Sequence, residues 1–356
     1  MEDPAPIGII EGYYGEPWSW AARAEQVSFL QPHGLQFYMY APKADAFLRK
    51  RWREPHPDDQ SQSIADFATH CRRSGVRFGV GLSPFELYRD FNAQAQADLG
   101  AKLKHLDSLG IDELGILFDD MRGDLPGLAE TQIRIVHWIG ERTSAKRLIM
   151  CGTYYSDDPN LDSAFGIRPP GYLQDLGAGL APEIGVFWTG EEVCSREYSA
   201  AHLARVGDVL RRKPVLWDNY PVNDGPRMSP YLFIRSVTGR PASIRPYLES
   251  HAVNPALQPV LSRIPFLSLA ESYARGDDYQ YLQAFNRASA AVLGPDIAAR
   301  VQRHLVFLND WGLDNLGDTA TALRTRYAAY DHPGAREIVD WLDGRWRMTR
   351  EMMTHD

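Results

Sequence analysis

The stretch 95–120 decides how the chain is read. Residues 95–109 run AQADLGAKLKHLDSL, Gly110 follows, residues 113–118 run ELGILF, and the segment closes on Asp119-Asp120. In the first part apolar residues return every three or four positions, as on a helix with one buried face. The second part is a short apolar run bounded by Gly and Asp, the length of a strand. Gly110 stands where glycine, in the left-handed conformation, stops a helix. Working outward, the same unit recurs. Helical patterns at 20–30, 64–73, 95–109, 131–142 and 200–210 alternate with strand candidates at 7–14, 35–40, 77–82, 113–118, 147–153, 184–188 and 214–217, with an eighth ending near Asn254. Gly34 and Gly75 repeat the role of Gly110.

Strands that alternate with helices give right-handed βαβ units and a parallel sheet. About eight units in ~250 residues is the arithmetic of a (β/α)₈ TIM barrel. A doubly wound open sheet is the runner-up; it loses because no G-x-G-x-x-G turn follows the first strand. From about residue 270 the pattern is helical only, at 279–293, 297–311, 319–330 and 336–352. The chain is therefore divided into a barrel, residues 1–270, and a small all-α C-terminal extension, residues 271–356. The polar stretch 49–63 reads as a loop.

Composition limits the function. The 356 residues carry 38 basic and 46 acidic side chains, net −8, which argues against a nucleic-acid ligand. No apolar run approaches the roughly 20 residues of a membrane span. Three scattered cysteines form neither a disulfide framework nor a zinc spacing, which suits a reducing compartment. The opening Met-Glu-Asp-Pro has no basic region and no apolar core, so no signal peptide is expected and the location is read as cytoplasmic. Aromatic residues reach 11%, which suits both a core and a sugar-stacking pocket.

Catalytic groups of such barrels sit at the C-terminal strand ends. There the sequence places Glu11-Gly12-Tyr13-Tyr14-Gly15-Glu16-Pro17-Trp18, Tyr40-Ala41-Pro42-Lys43, Asp119-Asp120, Cys151-Gly152-Thr153-Tyr154-Tyr155, Trp188-Thr189-Gly190, Trp217-Asp218-Asn219 with Asn223-Asp224, and Asn254-Pro255. Adjacent carboxylates repel, so one member of Asp119-Asp120 should have a raised pKa, and acid/base catalysis uses such a split. The pair also fits a plain cap of the next segment, and the two readings stand level on the pair alone. A metal site is disfavoured because no His-x-x-x-His or clustered ligand set accompanies it. Taken singly, Lys43 suits the surface, Trp217 and Tyr155 the core, Asn219 and Asp224 a turn, Cys151 a buried thiol, and Gly12 a tight turn. Seven strand ends that all carry such groups are harder to explain as turns.

Together, in this order over residues 7–270, the motifs resemble glycoside hydrolase family 84, the O-GlcNAcase-type β-N-acetylglucosaminidases that also include bacterial hyaluronidase-like proteins. The resemblance implies a retaining, substrate-assisted hydrolase of terminal β-linked GlcNAc, most simply GlcNAc on Ser or Thr of proteins, with no cofactor and no metal. In such enzymes the substrate's own acetamido oxygen attacks the anomeric carbon and forms an oxazoline, an exception to the two-carboxylate scheme. By position, Asp119 would accept the acetamido N–H, and Asp120 would protonate the glycosidic oxygen and then activate water. Gly12, Lys43 and Asn254 would contact hydroxyls around the sugar 3-position, Asp224 the 4- and 6-hydroxyls, and Asn219 the acetamido group. Tyr14, Cys151, Tyr155 and Trp217 would wall the acetamido pocket; Tyr155 is preferred to Tyr154 by its spacing from Cys151. Gly152 departs from the proline of many members. The expected partner is a GlcNAc-bearing protein or peptide, with a homodimer implied by the family's helical region. Action on a glycan or hyaluronan-type substrate, a non-catalytic GlcNAc-binding barrel and an unrelated metal-dependent hydrolase are the alternatives.

Overall fold

The computed structural model describes residues 5–355; residues 1–4, on which the expectation about a signal peptide rested, lie outside them. Eight parallel strands close in chain order: β1 (Ile7–Glu11), β2 (Leu35–Tyr40), β3 (Arg77–Leu82), β4 (Glu113–Leu117), β5 (Arg147–Cys151), β6 (Gly185–Trp188), β7 (Val215–Asp218) and β8 (Ser250–Val253), which pairs back to β1. This is the (β/α)₈ barrel expected from the sequence. Strands such as β1 and β4 are buried at every residue, as parallel strands are when helices cover the outside. β1 stops at Glu11 rather than near Tyr14, and β5 at Cys151 rather than Thr153. The trailing residues have left the ladder to form rim loops.

Around the barrel lie α1 (Trp20–Leu30), α2 (Asp58–Arg73), α3 (Ala93–Ser108), α4 (Leu128–Gly140), α5 (Asn160–Phe165), α6 (Tyr172–Gly179), α7 (Ala200–Leu210) and α8 (Arg263–Arg275). Ser19, Asn92 and Ser199 cap α1, α3 and α7 by accepting from backbone N–H groups three residues on, which satisfies donors a helix start leaves unpaired. Gly34, Gly75 and Gly110 have φ of 99°, 72° and 79°, the left-handed stops read from the sequence.

Three expectations need correction. The polar stretch 49–63 is not all loop, because α2 begins at Asp58. Asp58 and Asp59 suit the positive N-terminal turn, and the first turns face solvent, which hid them from an apolar-period reading. The short α5 and α6 lie in a segment with no expected helix. The single helix read at 336–352 is two, because Gly344 (φ 81°) ends the first.

The helical part comprises α9 (Tyr281–Leu293), α10 (Pro295–Leu305) with a wider π-type turn to Trp311, α11 (Thr319–Ala328), α12 (Pro333–Leu342) and α13 (Arg350–His355). The pattern change near residue 270 falls inside α8. These helices share a second apolar core with Tyr13, Trp18, Val222, Leu232 and Leu257. They therefore pack on the loops after β1, β7 and β8, at the rim that carries the polar motifs. Glu337 of α12 pins this contact, accepting from Val260 N at 2.8 Å and Leu261 N at 2.9 Å. Among the described residues, no helix is long and apolar enough to cross a membrane, and no three His, Cys, Asp or Glu residues are grouped to hold a metal.

Candidate active site

A cavity of about 390 Å³ opens at the C-terminal ends of the strands. All eleven residues singled out from the sequence line it: Gly12 and Tyr14 after β1, Lys43 after β2, Asp119 and Asp120 after β4, Cys151 and Tyr155 at β5, Trp217, Asn219 and Asp224 at β7, and Asn254 after β8.

Backbone pairing beyond the strands sets this convergence. Phe118 N donates to Cys151 O at 2.9 Å, which carries the β4–β5 ladder one residue past Leu117 and delivers Asp119 to the floor. Lys43 N donates to Tyr13 O at 3.0 Å and Asn254 N to Asp218 O at 2.9 Å, so the loops after β2 and β8 follow those after β1 and β7. Asp120 takes φ 56°, a left-handed backbone that Asp adopts more readily than most residues. Strain of this kind concentrates at functional positions.

The two carboxylates have different surroundings. Asp119 is 6% exposed at its side chain and Asp120 24%, so Asp120 faces the opening. Lys43 Nζ donates to Asp119 Oδ2 in a short ion pair and stands 3.4 Å from Asp120 Oδ2. Asp119 Oδ1 is buried with no hydrogen-bond partner among the described residues. An unsatisfied buried acceptor costs about 1–3 kcal/mol, which a donor brought by a ligand would recover. Asp120 accepts from Tyr14 Oη at 2.8 Å on one oxygen and from Tyr155 Oη at 3.3 Å on the other.

Electrostatics lowers Asp120 rather than raising it. Burial alone pushes the Asp120 carboxyl up, but Lys43, Arg49 and the Tyr14 hydroxyl outweigh it and hold it below the usual carboxylate value. The flanking cations override the like-charge repulsion. Lys43, which burial alone would discharge, is kept charged by Asp119 and Asp120. The raised carboxyl is Asp224: burial pushes it up to about 6, with Asp120's charge adding to the rise and the N–H of Tyr14, which it accepts at 2.8 Å, opposing it.

Four residues of the lining, Trp217, Asn219, Asn254 and Gly12, form a chain. Asn219 Oδ1 accepts from Trp217 Nε1 at 3.1 Å and Asn254 Nδ2 at 2.8 Å, Asn219 Nδ2 donates to Val193 O at 2.8 Å, and Asn254 Oδ1 accepts from Gly12 N at 3.1 Å. Gly12 is glycine because of a close approach: a Cβ there would lie 2.0 Å from Trp217 Cζ2. Burial and the charge of Asp119 push the Cys151 thiol well up, so it is a wall rather than a nucleophile.

Some rim residues point elsewhere. Glu11 turns away from the cavity to Arg23, at 2.6 and 2.9 Å. Asp218 is held by Arg240, His251 and Tyr198, and Asn223 bonds Tyr231 O, Gln258 and Leu257 N. All three are scaffolding. One functional neighbour escaped the sequence reading. Buried Arg49 donates to Tyr14 Oη at 3.1 Å and lies 4.0 Å from Asp120 Oδ2. It fell in the stretch read as a loop, and nothing in its spacing marks it. Arg227, Met228, Arg350 and Met353 also line the cavity and were not foreseen.

A parallel barrel whose C-terminal rim gathers paired acids, a lysine and an aromatic-walled pocket is of the glycoside-hydrolase class. Comparison with known proteins gives the particular family: a family model described as beta-N-acetylglucosaminidase matches residues 7–307, and the chain belongs to that family. Mouse Protein O-GlcNAcase is 28% identical over 281 residues, 75% of this chain and 30% of the mouse protein. The rat protein of the same name is 28% identical over 278 residues, with the same shares. The chain thus spans less than a third of the length of these relatives. The solved structure of an O-GlcNAc hydrolase mutant from Thermobaculum terrenum superposes with a TM-score of 0.78 at 29% identity, over 95% of this chain and 80% of that one. CpGH84B, at TM-score 0.76 and 20% identity, covers 97% of this chain and 67% of its own, and shows the shared fold.

Proposed function

We propose that this chain is a retaining exo-β-N-acetylglucosaminidase that removes β-linked GlcNAc from Ser or Thr of proteins by substrate-assisted catalysis. The observation that carries this reading is Asp119 Oδ1, a buried, unpartnered acceptor at the cavity floor beside an acid of different surroundings. A two-carboxylate retaining enzyme needs a nucleophile across the sugar from its acid, about 5–5.5 Å away. Here the neighbouring acids share Lys43 on one side, and the third, Asp224, is engaged by Tyr14 N.

In the proposed course the acetamido N–H donates to Asp119 Oδ1, which fixes the group and stabilises the positive charge that grows as its oxygen attacks C1. The glycosidic bond breaks, and the leaving oxygen takes the proton of Asp120. Asp120 enters catalysis protonated, which the free site disfavours; a neutral sugar that excludes water raises its pKa by desolvation. Water then attacks C1 of the oxazoline, gives its proton back to Asp120, and the acetamido group reopens with retention. Water is the only co-reactant. Gly12, Lys43, Asn254 and Asp224 hold hydroxyls, and Tyr14, Cys151, Tyr155 and Trp217 enclose the methyl group. The acceptor proteins are read as cytoplasmic, in keeping with three unpaired cysteines. The mammalian relatives' name and the Thermobaculum structure support the substrate class.

The test is turnover of an aryl β-N-acetylglucosaminide, a GlcNAc-Ser peptide, a chitin fragment and a hyaluronan fragment. Preference for the peptide supports the reading, and preference for either glycan refutes the substrate class. Successive fluorination of the N-acetyl methyl weakens the carbonyl nucleophile. It should slow turnover stepwise, and an unchanged rate would exclude acetamido participation.

A further inference from the structure

We infer that the outer half of the cavity selects an aglycone with negative charge, an acidic peptide, through Arg227 and Arg350. This rests on the hydrolase reading and deepens it. The proposed sugar-holding residues and all three acids, Asp119, Asp120 and Asp224, are buried or half-buried and are taken as the inner half. The lining then passes to loop residues after β6 and β7 and to Arg350 and Met353 of α13. Among the described residues, the charged side chains of that outer lining are Arg227 and Arg350, both exposed.

The helical part holds these two arginines at one place. Met348 N donates to Ser229 Oγ at 3.0 Å, and each end of that bond lies two residues from one of the arginines. The strap is fixed further by Arg345, paired with Glu16 at 2.8 Å, and by Met348, packed against Gly15. Arg345 and Arg347 spend their charge on Glu16 and Asp314. Arg227 and Arg350 have no ion pair or hydrogen bond among the described residues and stay available to a ligand.

The net charge of −8 repels an acidic substrate at long range, but salt screens charges beyond about 8 Å. Contact pairs at the mouth therefore decide. The aromatic side chains of the lining, Tyr14, Tyr155 and Trp217, are buried or half-buried and all belong to the proposed sugar-enclosing set. A glycan aglycone would call for an aromatic platform farther out. The outer lining offers Met228 and Met353 instead, flexible side chains that adapt to varied apolar neighbours. Arginine with methionine suits peptides of mixed sequence that carry Asp or Glu.

The experiment compares kcat/KM on three GlcNAc-Ser peptides matched except for flanking Glu, Gln or Lys. An exposed pair is worth up to about 1 kcal/mol, or roughly fivefold. The wild type should favour Glu over Lys by about fivefold or more, less in 0.5 M salt. Arg227→Ala and Arg350→Ala should each lower that ratio, the double alanine variant should bring it to about one, and the double variant Arg227→Glu with Arg350→Glu should reverse it. Alanine at these exposed positions leaves the packing intact, and the ratio is internal to each variant. A wild-type ratio of one, or a ratio that survives in the double alanine variant, overturns the inference. So does a uronate-bearing glycan fragment turned over faster than the Glu peptide. Silence on a neutral aryl glucosaminide would instead sink the hydrolase reading; activity there without charge preference sinks only this inference.

Discussion

Asp119→Asn is the sharpest perturbation of the proposed chemistry, because the side chain keeps its shape and loses only charge and one acceptor. In the wild type Oδ2 is held by Lys43 and Oδ1 is buried and unpartnered. Lysine can only donate, so the amide oxygen of Asn must face Nζ, and Nδ2 then occupies the place of Oδ1. An acetamido N–H arriving there meets a second donor. The lost charge-assisted hydrogen bond is worth about 1.5–3 kcal/mol. Removing preorganised stabilisation of developing charge costs about 2.7–4 kcal/mol, or 10²–10³ in kcat. The expected fall in kcat is thus at least about 10²-fold. The assay is a series of aryl β-N-acetylglucosaminides of falling leaving-group pKa. Asp119→Asn should be impaired equally across the series, since it acts on the nucleophile. Asp120→Asn should recover as the leaving group improves, since a good one needs no proton. Full activity of Asp119→Asn, or recovery of both variants in parallel, would refute the division of roles.

Arg49→Lys takes the guanidinium from Tyr14 Oη and moves positive charge away from Asp120. The Asp120 carboxyl should rise, and the alkaline limb of kcat/KM against pH should move to higher pH; a downward move would contradict the assignment. Gly12→Ala puts a methyl 2.0 Å from the Trp217 ring. It should displace the Trp217–Asn219 contact and cut kcat/KM more than tenfold, at a stability cost of about 1–3 kcal/mol by thermal melting. Glu337 is raised by burial from 4.5 to about 7, so its stabilising contribution is complete below pH 4.5 and is lost as pH rises through 7. Between those limits the wild type should lose about 3 kcal/mol relative to Glu337→Gln, read from paired denaturant melts; parallel curves would show that Glu337 is not buried as described.

The barrel was legible because its unit is local. An apolar face, a glycine in the left-handed conformation and a short buried strand all lie within 25 residues, as at 95–120. Period-based reading failed where burial does not set composition. The first turns of α2 are polar because they face water, and α5 and α6 have only six and eight residues, too short for a period to declare itself. The helix read over 336–352 kept its apolar spacing across Gly344, and only the backbone there shows the break.

Legibility of the site followed the same rule. Residues that end strands could be found, because barrel topology sends every strand end to one rim. Arg49, Arg227 and Arg350 could not, because each reaches the cavity through tertiary packing: a loop folded under Tyr14, and a C-terminal strap tied to Ser229. The closeness of Lys43, and then the unforeseen Arg49, explain why Asp120 is lowered rather than raised. Two adjacent aspartates on paper repel and raise a pKa. With Lys43 shared between them and Arg49 beside Asp120, the Asp120 carboxylate is an anion held in a cationic frame. On the proposed chemistry, that arrangement makes protonation of Asp120 a consequence of substrate burial. In that proposal a neutral sugar removes water from the carboxylate and raises its pKa by desolvation, while its acetamido group supplies the nucleophile and the donor that Asp119 Oδ1 lacks. On this reasoning a sugar with an N-acetyl group both arms the acid and brings its own nucleophile. A glucoside lacking that group should then be a poor substrate even with an excellent leaving group, because it supplies neither the nucleophile nor the donor that Asp119 lacks.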